Sequence, residues 1–192
     1  MDEGLYRTFR YVAVALTVVL VGWSLADSVF KEKVPGSLAY REGENYFQDG
    51  DYRAALAKYD EALAAKPDSP AYVRAKARTL MQLGRNAAAL GWFDRAVALQ
   101  PFFGGTYANR GILYDRMGRY RKAVADYEKA LKLDSSVGDG PSWLVRFLRN
   151  EPKAPPTVAD RLAYLKEELA KPEDQRLMRV PGLDAKQRTY QQ

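Results

Sequence analysis

The sequence contains no cysteine and no histidine among its 192 residues. Their absence excludes disulfides, thiolate nucleophiles and imidazole bases, and it removes the usual protein ligands of zinc, copper and haem iron. Only lysine- or carboxylate-based catalytic sets remain, and the acidic pairs Asp60–Glu61 and Glu167–Glu168 fall on predicted solvent-facing helix surfaces. We therefore expect no enzymatic activity, no catalytic residues, no metal site and no cofactor.

Long runs of like charge are also missing. The net charge of +6 arises from 30 basic and 24 acidic side chains that are distributed along the whole chain. Without a run of five or more like charges, nucleic-acid binding is not expected. The mild excess of positive charge is typical of a solvated surface of mixed charge, and it could also favour acidic segments of partner proteins or anionic lipid headgroups.

One segment near the N-terminus lacks charge altogether. Tyr11–Ala26 carries no charged residue between Arg10 and Asp27, and as a helix it would be about 24 Å long. Extension to Phe30 would place Tyr11, Trp23 and Phe30 near the two membrane interfaces, where aromatic rings are enriched, and Arg10 beside one of them. We interpret residues 9–30 as a single transmembrane helix in membrane lipid, after a short tail, 1–8, and before a linker, 31–35.

Two alternatives remain for this segment. Ser24 and Ala26 would suit a signal-peptide cleavage site before Asp27, and a buried core helix is the third option. A short tail before one span and a larger domain favours export of the domain. The predicted location is therefore a bacterial inner membrane, with the domain on the periplasmic side.

A period of thirty-four residues follows. Glycine recurs at Gly50, Gly84 and Gly118, and an aromatic ring at Tyr59, Phe93 and Tyr127. Small residues recur in two further columns: Gly43, Ala77 and Gly111; Ala55, Ala89 and Ala123. Each unit reads as two antiparallel helices, for example Ser37–Gln48 and Tyr52–Ala65. Glycine allows the left-handed turn between them, small residues let the helices approach, and the rings fill the space between units.

This pattern resembles the tetratricopeptide repeat family, whose period is thirty-four residues. The resemblance implies an all-α fold with three helix-turn-helix repeats, 36–69, 70–103 and 104–137, in a right-handed superhelical solenoid. Two departures occur. The family's leucine before the small residue is replaced by Glu42, Lys76 and Arg110, which predicts a more polar seam or a slightly different packing, and the terminal proline of the third unit is replaced by Ser135.

The C-terminal part is expected to cap the solenoid with helices over 138–171, since an exposed last repeat needs a cover. Pro141–Asn150 predicts a first short helix, and Glu151–Pro156 a linker. Thr157 and Asp160 form a capping signal for a second helix, whose apolar residues at helical spacing are Val158, Leu162, Leu165 and Leu169. The polar tail, 172–192, is either frayed or a docking segment on a partner or along the protein's own groove.

The resemblance also implies where partners bind, because the first helix of each family repeat lines a concave groove. The corresponding residues here are Tyr40, Glu44, Phe47, Arg74, Arg78, Met81, Asn109, Ile112, Asp115 and Arg116. Arg74 and Arg78 lie one turn apart and could contact the same acidic group. Tyr40, Phe47 and Met81 would supply apolar anchors.

Some family members bind the terminal carboxylate of heat-shock chaperones through a lysine and an asparagine in the first repeat. Tyr40 and Glu44 stand at those places, so a chaperone co-factor of that kind is disfavoured.

Two functional hypotheses follow. The first is a membrane-tethered scaffold or assembly factor that recruits other proteins through the groove. The second is a constitutive accessory subunit of a membrane protein complex, with the span and the tail packed on neighbouring subunits.

Overall fold

The computed structural model describes residues 3–30, 34–140, 147, 150 and 155–180, and for residues 3, 5–6 and 24–30 the backbone alone. Within these ranges the chain is helical and has no β-strand. The helices are α1 (Glu3–Phe30), α2 (Ser37–Gln48), α3 (Tyr52–Ala65), α4 (Pro70–Gln82), α5 (Asn86–Leu99), α6 (Gly104–Arg116), α7 (Tyr120–Leu133) and α8 (Val158–Ala170). Two short 3-10 turns occur at Ser135–Gly138 and Glu173–Gln175.

The helices α2 to α7 form three successive antiparallel pairs, as the repeat predicts. Each pair turns at a glycine with positive φ, which is 80° at Gly50 and 72° at Gly84 and Gly118. This left-handed conformation disfavours residues with a Cβ atom. Asp51 caps α3 by accepting a hydrogen bond from the Ala54 amide, and Pro70 occupies the first turn of α4. The turn positions were therefore predictable from the sequence.

Aromatic rings at one position of every repeat hold the pairs together. Tyr59, Phe93 and Tyr127 are fully buried, and burial of each contributes about 1.5–3 kcal/mol. The tyrosine rings lie so close to the preceding helix that a Cβ atom at Gly43 would stand 2.7 Å from Tyr59, and one at Gly111 would stand 2.6 Å from Tyr127. The column of small residues is thus a steric requirement of the rings.

The polar seam takes the form of a ladder of ion pairs between successive units. Lys76 pairs with Asp60 at 2.5 Å and Arg110 with Asp94 at 2.8 Å. In each case an acid on the second helix of one repeat meets a cation on the first helix of the next. The acids are about half exposed, so each pair contributes about 1 kcal/mol or less. We infer that the ladder defines the register between units more than it stabilises them.

The helix α8 extends this ladder. Its Lys166 pairs with Glu128 at 2.6 Å, and Glu128 follows Asp94 by one repeat period. The predicted capping box is confirmed, because the Thr157 hydroxyl accepts from the Asp160 amide and the Asp160 carboxylate accepts from the Thr157 amide. Val158, Leu162 and Leu165 are buried. The predicted helix Pro141–Asn150 lies outside the described residues apart from Phe147 and Asn150.

The prediction of a membrane-spanning helix is wrong. No helix in the described part of the chain is both long enough and apolar enough to cross a membrane. The uncharged run Tyr11–Ala26 covers about 24 Å as a helix, which is short of the ~30 Å hydrocarbon core. The predicted location in a bacterial inner membrane, with a periplasmic domain and membrane lipid as a partner, is withdrawn with it.

The residues that were predicted to lie at the membrane interfaces are part of helix α1. Tyr11 is 72 % and Trp23 is 75 % exposed, which also excludes the core-helix alternative for these residues. Arg10 is exposed, and the side chain of Phe30 lies outside the described part.

Substitution of Gly111 by alanine should destabilise the fold. The added methyl group meets the Tyr127 ring, and overpacking of about 1–3 kcal/mol exceeds the gain of about 1 kcal/mol in helix propensity. We expect a lower midpoint in urea denaturation. The matched control is Gly91→Ala in α5, where the methyl group meets nothing within 4 Å and the midpoint should rise. Equal shifts in the two variants would contradict this packing.

Candidate partner-binding cleft

A concave cleft lies between the first helices of the three repeats. Its volume of about 60 Å³ admits a few water molecules or one carboxylate group, since a single water needs about 10–15 Å³. The lining residues come from α2, α4, α6 and the turn before α6: Tyr40, Glu44, Ala71, Arg74, Arg78, Phe103 and Asn109. Five of the ten predicted groove residues therefore line one cleft, and the sequence analysis missed Ala71 and Phe103.

Glu44 and Arg78 form an internal ion pair in this cleft. Arg78 Nη2 donates to Glu44 Oε1 at 2.8 Å, and the Tyr59 hydroxyl donates to the same oxygen at 2.7 Å. Burial, followed by this hydrogen bond, raises the pKa of Tyr59 above its ordinary value. The guanidinium of Arg78 also lies 5.1 Å from the centre of the Phe47 ring. Arg78 is therefore already neutralised by a partner within the chain.

Arg74 has a different environment. Its Nη1 donates to Gln100 Oε1 at 2.7 Å, and its guanidinium lies 4.0 Å above the Phe103 ring. Among the residues that the structure describes, no carboxylate lies within ion-pair distance of Arg74. Burial lowers the pKa of Arg74, and nearby Arg78 acts in the same direction while Tyr40 opposes it. The cleft thus carries one positive charge that lacks a counterion among the described side chains.

Aromatic side chains form much of the cleft wall. Tyr40 stacks on Tyr72 with ring centres 4.9 Å apart and also contacts Tyr59 at 5.9 Å. The Phe103 ring packs against the guanidinium of Arg74. The rings fix the position of the charged groups, and a ligand entering the cleft would meet flat apolar surfaces beside one cation.

The other predicted groove residues lie elsewhere. Phe47, Met81 and Ile112 belong to the hydrophobic core and are at most 4 % exposed. Asp115 is equally buried, and Arg116 is half-buried outside the cleft lining. We therefore restrict the candidate site to the residues that line the cleft.

The C-terminal segment, residues 171–180, contacts the third repeat. Arg161 of α8 binds Asp115 through two hydrogen bonds of 2.7 and 2.8 Å and donates a third to the Met178 carbonyl. Arg179 donates to the Arg116 carbonyl at 3.0 Å. Part of the predicted polar tail therefore lies on the protein's own repeat, and residues 181–192 lie outside the described part.

The described residues contain no group of three or more acidic side chains that could hold a metal ion. The helix pairs instead define a helical-repeat domain with a cleft between the first helices of its repeats.

Comparison with known proteins identifies the repeats. Tetratricopeptide repeat family models match residues 40–102 and 106–137. These parts of the chain are therefore tetratricopeptide repeats, as the thirty-four-residue period predicted.

The chain is similar over its repeats to longer proteins. It is 33 % identical over 95 residues to small glutamine-rich tetratricopeptide repeat-containing protein 2 of Mycosarcoma maydis, covering 50 % of this chain and 27 % of that protein. It is 35 % identical over 104 residues to a DnaJ homolog subfamily C member 7 homolog of Dictyostelium discoideum, covering 52 % and 19 %. The match thus spans about a quarter or less of these two relatives.

A solved structure shares the fold. The first tetratricopeptide repeat domain of Spaghetti (RPAP3), bound to the HSP90 peptide SRMEEVD, superposes with a TM-score of 0.58 at 21 % identity, covering 73 % of this chain and 97 % of that one. At this identity the similarity supports the architecture alone.

Removal of the Arg161 side chain should destabilise the end of the solenoid. Arg161→Ala removes two hydrogen bonds from the buried Asp115 carboxylate, which also accepts one of 3.3 Å from Tyr127, and loss of one partner of a buried ion pair costs about 3–5 kcal/mol. Urea denaturation measures the change. Lys166→Ala, which breaks the exposed pair with Glu128, is the control and should cost about 1 kcal/mol or less. Similar small losses for both variants would contradict the assigned role of Arg161.

Proposed function

We propose that the concave cleft binds a segment of a partner protein, and that one carboxylate of this segment forms an ion pair with Arg74. The observation that carries the proposal is the unmatched charge of Arg74 in a half-buried site, beside an arginine that already has its counterion. A bound carboxylate would offset the cost of burying the Arg74 cation. Tyr40 and Phe103 would contact the apolar part of the same segment.

The class of function follows from the repeats. Tetratricopeptide repeats mediate protein–protein interactions, and the cleft is too small to enclose a typical small-molecule substrate. We propose a non-enzymatic scaffold or assembly factor that recruits its partner through this cleft. The absence of catalytic activity and cofactors remains a prediction.

The peptide bound to the related Spaghetti domain contains acidic residues, which supports an acidic partner for this chain as well. Tyr40 and Glu44 stand where the chaperone-binding members have lysine and asparagine. Glu44 would repel a second carboxylate near Arg78. We therefore propose that the cleft accepts a single acidic group, and we do not transfer the chaperone peptide itself to this protein.

The alternative of a constitutive complex subunit has less support. It relied on a membrane span, which the described helices do not provide, and on a tail packed on neighbouring subunits, of which Arg179 instead contacts the protein's own third repeat. A scaffold that binds its partner in the cleft needs neither a membrane span nor a tail packed on neighbouring subunits.

Reversal of the charge at Arg74 should weaken the binding of acidic peptides. Peptides selected by display on the wild-type protein should be enriched in Asp or Glu, and Arg74→Glu should weaken their binding by at least about tenfold, which is about 1.4 kcal/mol. Isothermal titration calorimetry measures the change. Arg78→Glu is a poorer test, because it would place two carboxylates together at a half-buried site.

The matched control is Arg85→Glu, which makes the same charge change on an exposed turn outside the cleft. It should leave the affinity within about twofold of the wild type. Selected peptides that lack acidic residues, or that bind Arg74→Glu as tightly as the wild type, would refute the proposal.

A further inference from the structure

The outer face of α7 carries a cluster of four cations. Arg121, Lys122, Lys129 and Lys132 recur at helical spacing and are all exposed. In the described part of the chain, none of the four lies within ion-pair distance of a carboxylate. The two acids of this helix are engaged elsewhere, Asp126 with Arg110 and Glu128 with Lys166. We call these four residues the basic face.

The repeat architecture does not require these charges. One period earlier, in α5, the equivalent positions hold Ala87, Ala88, Arg95 and Ala98, and in α3 they hold Arg53, Ala54, Glu61 and Ala64. In α5, Arg95 is paired with Asp68, and in α3, Glu61 is paired with Lys58. The three repeats have the same fold. Among them, only the third carries four cations on this surface that have no carboxylate within ion-pair distance in the described part of the chain.

We propose that the basic face is a second interaction surface, separate from the concave cleft, and that it binds an acidic segment of a partner protein. The face extends over twelve residues of helix, about 16 Å from the first to the last, so that three or four carboxylates of an extended or helical segment could contact it. Exposed charges of this kind accelerate and orient association, and their effect falls as ionic strength rises.

The side chains favour an acidic protein segment over nucleic acid. Three of the four cations are lysines, which act as point charges and lack the planar fork of arginine. Two rings beside the basic face already contact its lysines, because Lys122 lies 5.7 Å from the centre of Tyr114 and Lys129 lies 6.0 Å from that of Tyr107. Single-stranded nucleic acid would need such rings free for base stacking.

The test replaces three cations by the residues that already occupy the equivalent positions of α5. The variant Arg121→Ala/Lys122→Ala/Lys132→Ala therefore introduces only side chains that this architecture accepts, and its folding is checked by circular dichroism. The probe is a fluorescein-labelled peptide of ten glutamates, titrated with the full chain by fluorescence anisotropy. Every variant is also prepared with Arg74→Glu, so that binding in the cleft does not contribute.

We expect the triple variant to bind the peptide about tenfold more weakly, the combined effect of three exposed ion pairs, and to show a shallower dependence on salt. The matched control, Arg41→Ala/Arg53→Ala/Lys66→Ala, removes the same charge from exposed positions of the first repeat and should stay within about twofold of the wild type. Equal losses in both variants would refute the proposal, because they would show a response to net charge alone. Binding of a ten-nucleotide oligouridine at least as tightly, with the same loss in the triple variant, would also refute it.

Discussion

The fold depends on the insertion of an aromatic ring against a position that has almost no side chain. Tyr59 and Tyr127 leave no room for a Cβ atom at Gly43 and Gly111, and the second repeat solves the same problem with Ala77 and Phe93, both fully buried. This contact fixes the distance between the two helices of each pair. Since protein interiors are close-packed, the same distance recurs from unit to unit, and the first helices are brought side by side along one concave face.

That alignment creates the cleft and also determines its chemistry. Glu44 and Arg78 occupy the same position in consecutive repeats, so that the stacking brings them into contact and neutralises both. Arg74 lies one turn earlier on α4 and has no such acid opposite. The proposed recognition of a carboxylate therefore follows from a mismatch between repeats. The basic face of α7 has the same origin, because it departs from the alanines of the preceding unit.

The period of the sequence predicted the helix pairs, the glycine turns and the buried rings, and the spacing of Thr157 and Asp160 predicted the capping box of α8. It could not predict which groove residues face the cleft. Phe47 and Met81 share a column with Asp115, and all three are buried, because helix packing covers that column. It also could not predict that Arg161 and Arg179, forty residues or more away in sequence, would form hydrogen bonds with α6 of the third repeat. The prediction of a membrane span was wrong because the uncharged run Tyr11–Ala26, although free of charge, is shorter as a helix than the ~30 Å hydrocarbon core of a membrane.

The most direct test is a nuclear magnetic resonance titration that follows the arginine Nε–Hε signals while the blocked peptide acetyl-Ala-Glu-Ala-amide is added. If Arg74 binds one carboxylate in the cleft, the Arg74 Nε–Hε signal shifts to saturation as the glutamate peptide is added. The Arg78 signal moves little, because Glu44 holds its guanidinium, and the glutamine analogue of the peptide has no effect. Parallel shifts of Arg74 and exposed arginines such as Arg53, or equal shifts with the glutamine analogue, would contradict the account.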